Sequence, residues 1–159
     1  MLSITIYPKV LKVTIKNVNF DATAITKDAS VRLGDGTNAT RYTDNVTVEN
    51  CTFTDDDYSV VAVKSYTGGD WNVQIIGCKA EGMHSLAQLA NVEKGLLIQK
   101  NIANTKNGIN LNLSYSAEIV DNTINVQGYA VRTGVNGATG GNITLTNNVL
   151  KTDNTEGDP

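Results

Sequence analysis

The amino-acid sequence predicts an all-β chain wound as a solenoid of about six coils, and three observations carry that prediction. An eight-residue pattern (apolar, polar, apolar, polar, small-polar, small, any, apolar) is written six times, with 33, 27, 23, 21 and 26 residues between successive starts. A repeat of that length with a strand signal in each copy marks stacked supersecondary units. The composition agrees, because 19 Asn and 19 Thr stand beside only 2 Pro. Thr favours strands, whereas Asn accepts left-handed turns and bonds to nearby backbone. No stretch of a dozen residues keeps a 3.6 period, so little or no helix is expected.

The copies are Val13–Phe20 (VTIKNVNF), Val46–Phe53 (VTVENCTF), Val73–Ala80 (VQIIGCKA), Leu96–Ala103 (LLIQKNIA), Ala117–Ile124 (AEIVDNTI) and Ile143–Leu150 (ITLTNNVL). Upstream, Leu2, Ile4 and Ile6 alternate with polar residues and read as a short strand ending at Tyr7-Pro8. Residues 1–12 are thus a partial N-terminal edge, 13–150 the solenoid and 151–159 a polar, frayed tail. Within each copy positions one and three are apolar, as in Val46/Val48 and Leu96/Ile98, and the period of two buries one face of a strand. Position eight (Phe20, Phe53, Ala80, Ala103, Ile124, Leu150) returns the chain to the core after a bend.

That bend is assigned to positions five and six. Position five holds Asn17, Asn50, Gly77, Lys100, Asp121 and Asn147, mostly residue types that accept φ > 0. Position six holds Val18, Cys51, Cys78, Asn101, Asn122 and Asn148. Stacked on successive rungs, Asn101, Asn122 and Asn148 form an asparagine ladder; unstacked, they are three separate turn residues. Cys51 and Cys78 fall on neighbouring rungs with Cα atoms about 4.8 Å apart, within disulfide range. Their parallel Cβ vectors favour two stacked free thiols over a bridge.

A second strand follows each bend, starting small then apolar: Ser30-Val31, Ser59-Val60, Ser85-Leu86, Gly108-Ile109 and Ala130-Val131. No two-residue Asn-Gly or Asp-Gly turn joins the two strands, so like strands stack on the next coil instead of forming hairpins. A third strand, if formed, is short and includes residues near Val63–Ser65 and Leu89–Val92.

At 159 residues the chain fits one domain. Its formal net charge of −3 and scattered Lys and Arg exclude nucleic acid as a partner, since phosphate binding needs a concentrated basic face. No apolar run approaches the 18 residues of a membrane span, and MLSITIYPKV lacks the charged and apolar regions of a secretory signal.

The VTIKNVNF, VTVENCTF, AEIVDNTI and ITLTNNVL copies, each followed by a small-apolar strand, resemble the right-handed parallel β-helix family of pectate lyases, polygalacturonases, phage tailspikes and many bacterial surface proteins. The resemblance runs from Val13 to Leu150 and implies fold far more narrowly than function. The family's lyases carry calcium-binding Asp residues and a catalytic Arg or Lys on one sheet. Its polygalacturonases carry Asn-Thr-Asp, Gly-His-Gly and Arg-Ile-Lys motifs, and none of these stands in this sequence. The second-strand outer column reads Arg32, Val61, Ala87, Asn110 and Arg132, and the first-strand column Lys16, Glu49, Ile76, Gln99, Val120 and Thr146. Neither supplies the carboxylate pair that inverting hydrolysis wants.

Several residues remain as candidates for contact. Trp71, in the loop Gly68-Gly69-Asp70-Trp71, with Tyr66 and Tyr58 beside it, offers rings for stacking on sugar, and Arg32, Asn110 and Arg132 offer polar contacts to an acidic one. Asp55 and Asp57 of the Asp55-Asp56-Asp57 run are the candidate Ca²⁺ ligands, although adjacent Asp side chains diverge and a solvated loop is the simpler reading. His84, the only histidine, lacks partners at ligand spacing and reads as a packing or surface residue. These features point to a non-catalytic scaffold or carbohydrate-interacting module of a bacterial extracellular or cell-surface protein. Its expected partners are a polysaccharide or surface glycan and flanking domains of a longer chain, with no cofactor beyond an optional Ca²⁺. A fragment of a polysaccharide lyase or glycoside hydrolase, or a phage tail fibre or spike segment, are the alternatives.

Overall fold

The computed structural model describes residues 3–6, 12–24, 28–34, 43–66, 70–90, 92–112, 116–133 and 142–153. Among them the strand pairings are all parallel and fall into three sheets. The leading sheet stacks Val13–Lys16, Thr43–Glu49, Asp70–Ile76, Leu96–Gln99, Ser116–Val120 and Asn142–Thr146. The middle sheet stacks Asn19–Asp21, Thr52–Thr54, Lys79–Glu81, Ile102–Thr105, Thr123–Val126 and Val149–Thr152. The trailing sheet stacks Ile4–Ile6, Ala29–Leu33, Val61–Ser65, Ser85–Ala90, Asn107–Asn112 and Val131–Thr133. Each strand therefore pairs with its counterpart one coil away, which is what a coil of near-constant shape requires. The predicted solenoid is present.

The eight-residue pattern holds two strands, which corrects the expected place of the third. Val63–Ser65 and Leu89 belong to trailing strands, and Val92–Lys94 pairs with Asp70 and Trp71 in the leading sheet. The third strand lies directly after the bend. Position five is left-handed in all six copies: Asn17 (φ 57), Asn50 (φ 51), Gly77 (φ 63), Lys100 (φ 56), Asp121 (φ 57) and Asn147 (φ 54). One such residue turns the chain sharply enough for positions seven and eight to start a new sheet. Lys100 is the costly member, since a left-handed residue other than Gly, Asn or Asp loses roughly 1–2 kcal/mol. A second left-handed column, Asn45, Asn72 and Gly95, leads into positions one of the next three copies.

The core is built from columns. Ile15, Val48, Ile75, Ile98 and Ile119 are buried at position three, and Phe20, Phe53, Ala80, Ala103 and Ile124 at position eight. Phe20 and Phe53 stack with ring centroids 4.9 Å apart and planes 9° from parallel. In the last copy the same positions are open, with Leu145 48% and Leu150 39% exposed. Pairing there continues past the expected start of the tail, through Lys151 and Thr152.

Candidate functional site

The trailing strands Ala29–Leu33, Val61–Ser65 and Ser85–Ala90 bury most of their residues. In Ala29–Leu33 and Val61–Ser65 alike, only the fourth residue is partly exposed. The register pairs Thr5 with Arg32, Arg32 with Lys64, Lys64 with Gln88, Gln88 with Asn110 and Asn110 with Arg132. These side chains form one ridge running along the solenoid axis, with neighbours about 4.8 Å apart. Lys64 and Gln88 replace the expected Val61 and Ala87, which are buried in the core. The error has a local cause. From position eight to the matched residues Ser30, Ala62, Leu86, Gly108 and Ala130, the step is ten and nine residues in the first two coils and six, five and six in the next three. Small residues at even spacing mimicked a register that the longer second loop shifts at Lys64, while in the third coil Ser85 stands one position ahead of the matched Leu86.

At one end of the ridge Tyr66 organises three groups. Its hydroxyl donates to Asp28 Oδ1 at 2.6 Å and accepts from Arg32 Nε at 3.1 Å. Lys64 Nζ donates to Asp28 Oδ2 at 2.7 Å, and Arg32 Nε lies 3.7 Å from Asp28 Oδ1. The Arg32 guanidinium carbon and the Lys64 ammonium sit 4.9 and 5.2 Å from the Tyr66 ring centroid, within cation–π range. Partial burial raises the Asp28 carboxyl, but hydrogen bonds from Lys64 and Tyr66 and the charges of Lys64 and Arg32 outweigh it and hold the carboxyl below its ordinary value. Burial, reinforced by the Asp28 hydrogen bond, pushes the Tyr66 phenol up to about 12. A carboxylate held anionic in this way is badly suited to act as a general acid.

The other end repeats part of this arrangement. The Arg132 guanidinium carbon lies 5.5 Å from the Tyr129 ring centroid. Burial raises the Tyr129 phenol above its ordinary value, although the Arg132 charge and hydrogen bonds with Asn110 and Arg132 pull it back. Asn110 Oδ1 is buried and has no hydrogen-bond partner among the described residues. Between the ends, Gln88 Nε2 is 3.2 Å from His84 Nδ1, which is 3.0 Å from Ser85 Oγ. Burial, followed by the charges of Lys106 and Lys64, holds His84 below its usual pKa. His84 thus joins the ridge through Gln88, a link that only the folded register reveals.

The structure therefore brings Arg32, Tyr66, Asn110 and Arg132 onto one face, together with Lys64, Asp28 and Tyr129, which the sequence did not single out. Asp28 and Tyr129 lie outside the repeat and carry no motif. Trp71 lies inside the leading strand Asp70–Ile76 and not in a loop, paired with Asp44 and Lys94; its side chain is outside the described residues. Tyr58 belongs to the turn after the middle strand of the second coil, left-handed at φ 59 and 37% exposed.

That turn also holds the acidic run. Asp55, Asp56 and Asp57 place carboxylate oxygens within 4.8 Å of one another, but only Asp55 is buried. Asp55 Oδ1 accepts from the Asp56 amide, and Oδ2 from the Ser59 and Val60 amides, each at 3.0 Å. Asp57 Oδ1 accepts from the Ser59 amide at 3.0 Å, and hydrogen bonding to Ser59 holds its carboxyl below the ordinary value. The same oxygens that would ligate Ca²⁺ are already closing the loop. The donor set fits a turn better than a cation, which wants six to eight oxygens.

No curated protein and no solved structure matches this chain. The family model described as the right handed beta helix region matches residues 4–157, nearly the whole length, and the chain belongs to that family.

Proposed function

We propose that this β-helix is a non-catalytic scaffold of a bacterial extracellular or cell-surface protein and that its trailing-sheet ridge contacts an acidic polysaccharide. One observation carries the reading. Arg32, Lys64, Gln88, Asn110 and Arg132 stand on five successive coils of a chain whose net charge is −3. A linear row of cations and amides, with tyrosine rings at both ends, offers charge complementarity, directional hydrogen bonds and aromatic faces to an extended, hydroxyl-rich anion. Polymers of that kind are met outside the cell, which supports the location.

Affinity electrophoresis tests the reading. Gels containing polygalacturonate should retard the protein and gels containing dextran should not. Retardation should be lost in a Lys64→Ala, Arg132→Ala double variant whose thermal midpoint is unchanged. Equal migration in both gels removes the reading, and release of new reducing ends or unsaturated products from the uronate polymer overturns its non-catalytic part.

A further inference from the structure

Asp28 occupies a site built for a carboxylate. Its oxygens accept from the Lys64 ammonium at 2.7 Å and the Tyr66 hydroxyl at 2.6 and 2.7 Å, with Arg32 Nε at 3.7 Å. The three donors come from three places in two coils. Arg32 and Lys64 are register partners on adjacent rungs, and Tyr66 follows the strand that carries Lys64. Arg32 Nε also donates to the Tyr66 hydroxyl at 3.1 Å, so the donors are held in place partly by one another and not by Asp28 alone. Asp28 itself stands just before the strand Ala29–Leu33, and its side chain is 47% exposed, so it reaches the donors from the solvent side. Its backbone carbonyl, which accepts from the Val61 amide, does the structural work at this position without the carboxylate.

We infer that the Lys64–Tyr66–Arg32 cluster is a carboxylate-binding subsite at one end of the ridge and that Asp28 fills it as an internal stand-in, so that a uronate carboxylate binds there by displacing Asp28. The inference rests on the ridge reading and adds a competition to it. Displacement exchanges one carboxylate for another on the same donors, so this end contributes little net affinity while Asp28 is present. Affinity then comes mainly from the Gln88, Asn110 and Arg132 end. The subsite discriminates by charge, because an esterified or neutral sugar brings nothing that the ammonium and phenol prefer to Asp28.

Calorimetric titration of the full chain with tetragalacturonate, and with its fully methyl-esterified form, tests this. Asp28→Asn keeps the shape of the side chain and removes its charge. Losing one partly exposed ion-pair competitor should tighten tetragalacturonate binding about fivefold. Binding of the ester should not change. Adding Lys64→Ala to the Asp28→Asn variant should abolish the gain, whereas Arg132→Ala should weaken tetragalacturonate binding by a similar factor in the unaltered protein and in the Asp28→Asn variant. Binding first seen in Asp28→Asn would support the stand-in equally. If the unaltered protein binds and Asp28→Asn binds equally or more weakly, Asp28 is an organiser and the inference falls while the ridge reading stands. If neither form binds, both fall together.

Discussion

Position six shows how one side chain can serve every coil. In five successive coils its side chain faces the carbonyl of position three one coil back: Cys51 to Ile15 at 3.6 Å, Cys78 to Val48 at 3.6 Å, Asn101 to Ile75 at 2.9 Å, Asn122 to Ile98 at 2.9 Å and Asn148 to Ile119 at 2.7 Å. The two free thiols thus fill the first half of the asparagine role, as donors, and burial pushes Cys78 up to about 12, keeping its S–H in place. The asparagines add the second half. Asn122 Oδ1 accepts both the Asn101 amide and Asn101 Nδ2 at 2.9 Å, and Asn148 Oδ1 does the same for Asn122 at 3.0 and 2.9 Å. The predicted ladder is present, and it also satisfies backbone, which sequence alone could not show. Asn122→Ala strands the Asn101 amide and the Ile98 carbonyl in the core, and each buried orphan costs about 1–3 kcal/mol. A loss of about 3 kcal/mol in urea unfolding is expected, against a smaller loss for Asn148→Ala, whose side chain is only half-buried in the sixth coil. Equal, small losses from both would show that the ladder adds no stability.

Among the elements, the turn at Asp55 sets where the second coil's trailing strand, with Lys64, begins. Three main-chain amides converge on the Asp55 carboxylate, and Gly82 of the next coil packs beneath it, where a Cβ would lie 2.1 Å from the Asp55 carbonyl oxygen. The loop is therefore a rigid insertion that delays the trailing strand until Val61. Asp55→Ala should lower stability by about 2–3 kcal/mol, the range for losing hydrogen bonds to a charged acceptor. Millimolar Ca²⁺ should leave the thermal midpoint of the unaltered protein unchanged; a rise that Asp57→Asn removes would restore the metal reading. This turn also marks how far the sequence was legible. Strands at positions one to three, the left-handed position five and the core return at position eight follow from a local period, and all were readable. Lys64 and Gln88 were not, because their outward place depends on loop lengths that no period records. Asp28 and Tyr129 were hidden for the same reason, since they reach the ridge only through the fold.

On the scale of the whole molecule, exposure among the described residues differs from the early coils to the sixth. The strand before the first copy keeps Ile6, and the first coil Ile15 and Phe20, at 5%, 6% and 1% exposure, whereas the sixth coil leaves Leu145, Val149 and Leu150 at 48%, 49% and 39%. In a stack each coil contacts only its neighbours, so stability is a sum of coil terms and interface terms. Among the described residues the sixth coil, with its exposed apolar side chains, pairs only with the fifth. Its amides at Asn142–Thr146 and Val149–Thr152 should open first. Opening there uncovers the leading and middle strands of the fifth coil, whereas Val131–Thr133, which carries Arg132, is already the last described strand of the trailing sheet. Native-state hydrogen exchange should therefore show protection rising from the sixth coil to the third, with Ile75 and Leu89 amides near the global limit. Uniform protection would mean that the stack unfolds as one unit. If the ridge reading holds, tetragalacturonate should slow exchange at Val131–Thr133 more than at Ala29–Leu33, because the Arg132 end gains a new contact while the Asp28 end only exchanges one carboxylate for another.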